Sequence, residues 1–182
     1  TGEVLAAFTD GLREAGHEID LHDLYASGWQ TDMDLEQYLR ETSHDETRPL
    51  PPDVAGEQAR IDAADALAFV FPLWWSDCPA KLKGWFDRVW TLGYAYRYAG
   101  SSRAAPRLDV AKALVLVTAG TPRDQLEAAG IAPALRAVML QDRLLGVGVR
   151  EAHLELLAGT LPPDRTIRVA NLERARQAGL HF

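Results

Sequence analysis

Two short apolar runs constrain this chain more than anything else in it. Ala66 to Phe71 (ALAFVF) is closed by Pro72, and Ala113 to Val117 (ALVLV) ends at Thr118. Neither run alternates apolar with polar residues, so each reads as a strand covered on both faces, and such strands belong to parallel sheets flanked by helices. Between them, Pro79 can open a helix whose Leu82, Trp85, Phe86 and Val89 share one face at spacings of three and four. Strand, helix and strand then form a crossover unit of fixed, right-handed sense.

The rest of the chain extends that pattern. Val4, Leu5, Phe8 and Leu12 recur at helical spacing from Gly2, with Gly16 where a helix would stop. Glu18 to Leu24 reads as a strand, and the stretch from about Ala26 to Pro52 as an irregular excursion. Leu135, Val138, Met139 and Leu145 mark a helix, Val147 to Leu156 a strand, and Val169, Leu172 and Ala175 a closing helix after Pro162 and Pro163. Helix and strand thus alternate from end to end, which predicts a doubly wound α/β sheet with helices on both faces. At 182 residues and 47% apolar composition, one domain over 1–182 is expected. Such folds normally begin with a strand, so a first strand and loop, roughly 15 residues, are expected ahead of Thr1.

Charge and cysteine usage narrow the partners. The net charge of −7 repels phosphate backbones and anionic lipid, which argues against nucleic acid and membrane partners. Cys78 is the single cysteine and cannot close an intrachain disulfide, which points to a reducing cytoplasm and to a small buried packing residue. His17, His22, His44, His153 and His181 lack ligand spacing, so no metal site is expected. Lys81, Lys83 and Arg88 read as a solvated face, and Asp32, Asp34 and Glu36 as a solvated loop. Ser76-Asp77-Cys78 lacks the flanking glycines of a nucleophile elbow.

In open α/β sheets, ligands bind beyond the carboxyl ends of the strands. Those ends here carry Phe71-Pro72-Leu73-Trp74-Trp75 and Val117-Thr118-Ala119-Gly120-Thr121. A tryptophan pair more often serves packing than ligand binding. Its place in a strand-end loop, opposite a Gly-containing loop that lets backbone N–H groups approach closely, reverses that expectation.

From Phe71 to Tyr98 the chain reads FPLWW, a short turn, PAKLKGWFDRVW and then Gly93-Tyr94-Ala95-Tyr96. This stretch, with Thr118 to Thr121, resembles the NAD(P)H quinone oxidoreductase family of flavodoxin-like flavoproteins in its short bacterial form. The resemblance implies that Pro72, Leu73, Trp74 and Trp75 hold the isoalloxazine edge and that Thr118, Ala119, Gly120 and Thr121 hold its pyrimidine side. Thr1 and Gly2 would adjoin the flavin phosphate at a helix start, where free N–H groups favour an anion. Tyr96 and Tyr98 would line the acceptor pocket across a homodimer interface. The cofactor implied is FAD, with FMN open, and NAD(P)H is the co-substrate.

Two departures stand out. Where family members closest to the mammalian enzymes carry a Tyr and a His that stabilise charge on reduced flavin, an ungapped extension places Leu126 and Ala132, whose side chains donate nothing. The arginine at the adenine end has no clean match, Arg165 and Arg168 being the candidates. The resemblance implies ping-pong hydride transfer from NAD(P)H through the flavin to a small quinone-like acceptor, with no catalytic acid or base side chain assigned. Azo- or nitroaromatic reduction uses the same chemistry. A flavodoxin-like electron carrier and a regulatory flavoprotein subunit are the rival readings.

Overall fold

In the computed structural model, which describes residues 1–98 and 106–182, β1 (Ala66–Pro72), β2 (Val110–Thr118) and β3 (Val149–Leu157) lie side by side in that order, all parallel. The helices are α1 (Gly2–Glu14), α2 (Leu35–Thr42), α3 (Pro52–Asp62), α4 (Ala80–Val89), α5 (Arg123–Ala128), α6 (Ile131–Arg136) and α7 (Arg165–Leu180). A π-helical turn over Ala137–Asp142 and a 3-10 turn over Leu145–Val147 lead into β3. Pro72 pairs with Thr118, and Thr118 with Leu157, so the three strands stop level with one another.

The two-residue period of β2 assigns its side chains to two cores. Leu114 and Leu116 face α1 and α7, joining Val4, Phe8, Leu12, Leu157 and Ala175. Ala113, Val115 and Val117 face the opposite layer, with Phe69, Phe71, Leu82, Trp85, Phe86, Val89, Leu135 and Met139. Helices α1 and α7 approach closely because glycine meets backbone twice. A Cβ on Gly11 would lie 2.2 Å from the Arg176 carbonyl oxygen, and one on Gly179 would lie 2.3 Å from that of Phe8.

Several elements depart from the sequence reading. Glu18 to Leu24 makes no ladder with any strand among the described residues. Ile19 packs under α1 while Leu21 is exposed, so alternation supplied an apolar side without a neighbour to pair with. The excursion before Pro52 contains α2, capped by Asp34, whose carboxylate accepts from the Gln37 amide at 2.7 Å. Asp34 is therefore a helix cap and not part of a solvated loop. The helix expected around Leu135 to Leu145 is broken into α6, the π-turn and the 3-10 turn, with Val138 exposed. Val169 of α7 likewise faces solvent.

The cations of α4 also differ from expectation. Only Lys83 sits on a solvated face, paired with Asp87 at 2.5 Å. Lys81 donates to the Trp29 carbonyl at 2.7 Å. Arg88 is buried, donating to Asp53 at 2.6 and 3.0 Å, to Gln37 Oε1 at 2.9 Å and to the Gln30 carbonyl at 2.9 Å. A buried guanidinium demands such partners, because an unpaired one forfeits its hydration.

Candidate functional site

Level strand ends bring three segments together at the carboxyl edge of the sheet. After β1, Leu73 donates its amide to the Thr118 carbonyl at 2.8 Å, locking the first loop to the end of β2. The chain then reverses in a tight turn: Trp74 and Asp77 exchange amide-to-carbonyl bonds of 3.0 and 3.1 Å. Trp75 and Ser76 between them have φ of 47° and 66°. Both central residues are left-handed, the mirror-image turn that normally calls for Asn-Gly, so non-glycine residues hold it under strain. Trp75 is 102% exposed and Trp74 55%.

The second loop is stitched to a third. Ala119 donates to Leu157 O at 3.1 Å, Thr160 to Ala119 O at 3.1 Å, Leu161 to Gly120 O at 3.2 Å and Gly159 to Thr121 O at 3.1 Å. A Cβ on Gly120 would come within 2.9 Å of Leu161 Cδ1, so only glycine lets these loops close without displacing Leu161. Thr118 Oγ1 shares a hydrogen bond with Thr1 Oγ1 at 2.8 Å. Thr1 therefore leaves the start of α1 without a side-chain cap, and space beside Gly2 is open. The first turn of α1 thus lies at the same sheet edge with no side-chain cap from Thr1.

These bonds decide which amides a ligand can use. Pro72 has no N–H, and those of Leu73, Trp74 and Ala119 are spent inside the fold. Among the described residues, the N–H groups of Trp75, Ser76, Gly120 and Thr121 donate to no protein acceptor. A planar heterocycle with acceptor atoms along one edge fits this set: an exposed indole plane, uncommitted amide donors in both loops and a glycine at the closest approach.

Tyr96 and Tyr98 lie elsewhere. Helix α4 carries the chain back from the carboxyl edge, so both tyrosines sit at the amino edge, Tyr96 bridging to Leu92 and Pro106. Their rings meet edge to face at 5.7 Å, and Tyr98 rests 4.4 Å from the His44 ring. Burial, and then Glu41, push the Tyr96 hydroxyl up to about 12. One chain does not join these tyrosines to the Trp74–Asp77 turn.

Leu126 and Ala132 are buried, so no proton donor occupies those positions. Of the two candidate arginines, Arg168 is held by Glu3, whereas Arg165 is exposed at the start of α7. Cys78 is buried and its thiol is pushed up to about 11 by that burial, which suits a packing residue.

One feature escaped the sequence reading. Arg143, just after the π-turn, clasps Asp77 through Nη1 at 2.9 Å and Nη2 at 3.0 Å. Burial opposes the Asp77 charge, but the Arg143 guanidinium and the Cys78 amide outweigh it and hold the carboxyl below its usual range. A separation of 66 residues leaves no local signature of such a pair.

The family model described as flavodoxin-like fold matches residues 1–178. This chain belongs to the flavodoxin-like fold family. Within that family it is 55% identical to the NAD(P)H:quinone oxidoreductase from Methanothermobacter marburgensis, with a TM-score of 0.92 over 98% of this chain and 87% of that one. It is 33% identical to NAD(P)H dehydrogenase [quinone] 1 of Rattus norvegicus across 90% of this chain, and spans 66% of that relative's length. The general stress protein 14 from Treponema denticola, solved in complex with FMN, is 25% identical with a TM-score of 0.60, covering 98% of this chain and 88% of that one. Among the described residues no helix is long and apolar enough to cross a membrane, and no cluster of metal-ligating side chains occurs.

Proposed function

We propose that this chain holds a flavin at the carboxyl edge of its sheet and serves as an NAD(P)H:quinone oxidoreductase. The observation that carries this reading is the convergence of the Trp75, Gly120 and Thr121 amides beside an exposed indole. It is supported by 55% identity to the Methanothermobacter enzyme. When bound, the flavin supplies hydride acceptance and donation.

The protein's own residues bind and orient. Trp75 offers a plane against which a flat ring lies, with Pro72, Leu73 and Trp74 forming the wall behind it. The amides of Gly120 and Thr121, fixed by the stitched loops, meet negative charge at the ring edge without reorganising, at a few kcal/mol per well-aimed donor, as at an oxyanion hole. With Leu126 and Ala132 apolar and buried, no side-chain relay delivers a proton there. The uncapped start of α1 at Thr1 and Gly2 takes phosphate. FAD is the flavin proposed, because Arg165, exposed at the start of α7 and without an ion-pair partner among the described residues, offers a cation for its distal half.

Tyr96 and Tyr98 sit at the opposite sheet edge, so they can line an acceptor site only on a second copy. The proposal therefore includes a homodimer, with Tyr98 more accessible than Tyr96 for contact with a quinone-like acceptor. Anaerobic mixing of the flavin-loaded protein with NADPH or NADH tests the reading. Rapid bleaching of the visible band, reversed by a benzoquinone, is expected; a band that persists until a separate reductase is added would instead make the protein an electron carrier.

A further inference from the structure

The turn from Trp74 to Asp77 is the most strained backbone at the carboxyl edge, with consecutive non-glycine residues in the left-handed region. Trp-Ser is a poor sequence for a mirror-image turn, and nothing packs on the fully exposed Trp75 ring to hold it there. Asp77 is the fixed point. Its Oδ1 accepts from the Cys78 amide at 2.7 Å, and both carboxylate oxygens accept from Arg143.

Arg143 is itself anchored in the core. Its guanidinium lies 5.5 Å from the Phe86 ring centroid, and Nη1 also approaches Met139 Sδ at 3.0 Å and Cys78 Sγ at 3.4 Å. Its carbonyl accepts from Trp90 Nε1 at 2.8 Å. Its amide donates to Val138 O at 3.1 Å, the five-residue step of the π-turn. A regular α-helical step would rotate residue 143 away from this position by part of a turn, and π-bulges concentrate at functional sites. The core-anchored fork thus reaches up to a single carboxylate in a surface turn.

We propose that Arg143 is a positioning residue. Through Asp77 it holds the strained turn in the form that presents the Trp75 indole and amide to the cofactor. This rests on the flavin reading above. The bidentate clasp fixes direction as well as distance, as a lysine could not. Released from it, the turn relaxes toward ordinary φ values, which turns Trp75 away from the ring edge while leaving the sheet intact.

The test uses the flavin-loaded protein and three variants: Asp77→Asn, Arg143→Lys, and Asp77→Asn combined with Ser76→Gly. Asp77→Asn keeps an acceptor for the Cys78 amide but loses the ion pair. It is expected to weaken flavin binding about tenfold, the equivalent of one charge-assisted hydrogen bond, and to change the visible-region circular dichroism of the bound flavin. Glycine at position 76 removes the strain that the clasp opposes, so the double variant should return to within about threefold of the parent affinity. A merely structural ion pair would not be rescued this way. If Asp77→Asn fails to fold, Arg143→Lys reads the same effect, with a smaller loss of affinity. Unchanged affinity and dichroism in Asp77→Asn and Arg143→Lys, or a loss that Ser76→Gly does not recover, would overturn the role of Arg143. A parent protein that binds neither FAD nor FMN would overturn the functional reading itself, so the two failures are distinguishable.

Discussion

The two edges of this sheet are built on opposite plans. From the middle of α3 and α4 toward the amino edge, buried polar side chains knot the chain together: Arg88 gathers Asp53, Gln37 and the Gln30 carbonyl, Arg40 donates to the Leu92 carbonyl at 3.1 Å, and Gln58 donates to Val89 O and Thr91 Oγ1. At the carboxyl edge, amides are left uncommitted and tryptophans stand in solvent around a strained turn. The contrast shows where each kind of polar group is used. Satisfied networks at one end rigidify the frame, and donors held ready at the other end remain for a ligand.

Four substitutions or conditions can break or sharpen that contrast. The largest effect is expected at the closed edge. Arg88→Met leaves the buried Gln37 Oε1 and the Gln30 carbonyl without their donor and should cost about 2 kcal/mol of stability, with the flavin affinity of the folded fraction unchanged. Chemical denaturation and flavin titration of the same sample check both halves. At the open edge the pattern should invert. Gly120→Val drives a side chain into Leu161 and crowds the free amides, so flavin affinity should fall by about tenfold or more while the melting temperature moves little.

Smaller effects follow. Tyr98→Ala should raise the KM for a quinone roughly threefold without altering flavin affinity, seen in steady-state kinetics beside a flavin titration. Equal losses in both would place Tyr98 in the cofactor site instead. The slightest effect concerns pH. Asp77 has its carboxyl held below the usual value, so its ion pair stabilises the folded state above the ordinary carboxylate range and fades as pH falls through that range toward the lowered value. Melting the parent beside Asp77→Asn should therefore show a gap at pH 6 that narrows toward pH 3. A gap independent of pH would mean that the charge of Asp77 contributes nothing.

The same contrast explains what the sequence disclosed. Helix α4 was legible because Leu82, Trp85, Phe86 and Val89 form an apolar stripe, and β1 and β2 because parallel strands buried on both faces leave unbroken apolar runs. Helix α2 was not, because it is turned inside out: Gln37 and Arg40 are its buried residues while Leu35 and Tyr38 are exposed. A pattern reader that equates burial with hydrophobicity has no means of placing it. Glu18 to Leu24 failed for a related reason, since alternation reports a face and not a hydrogen-bonding neighbour.

The site was half legible. Strand-end logic located Trp74, Trp75 and Thr118 to Thr121 correctly at the carboxyl edge. Which amides stay free depended on the carbonyls that the Ala119 and Leu73 amides reach, those of Leu157 and Thr118, partners distant in sequence and invisible to local pattern. Arg143 is hidden by the same distance, and in the sequence Asp77 stands out only within the Ser76-Asp77-Cys78 turn. The place of Tyr96 and Tyr98 at the far edge follows from the return path of α4, which a motif read along the chain does not display.

The most direct test is a titration of the cofactor-free protein with FAD and with FMN, followed by quenching of tryptophan fluorescence. Saturable quenching by at least one of them, weakened by Gly120→Val and not by Arg88→Met, is the expected result. Quenching by neither, or a loss of binding that tracks Arg88 and ignores Gly120, would contradict the placement of the flavin at the carboxyl edge.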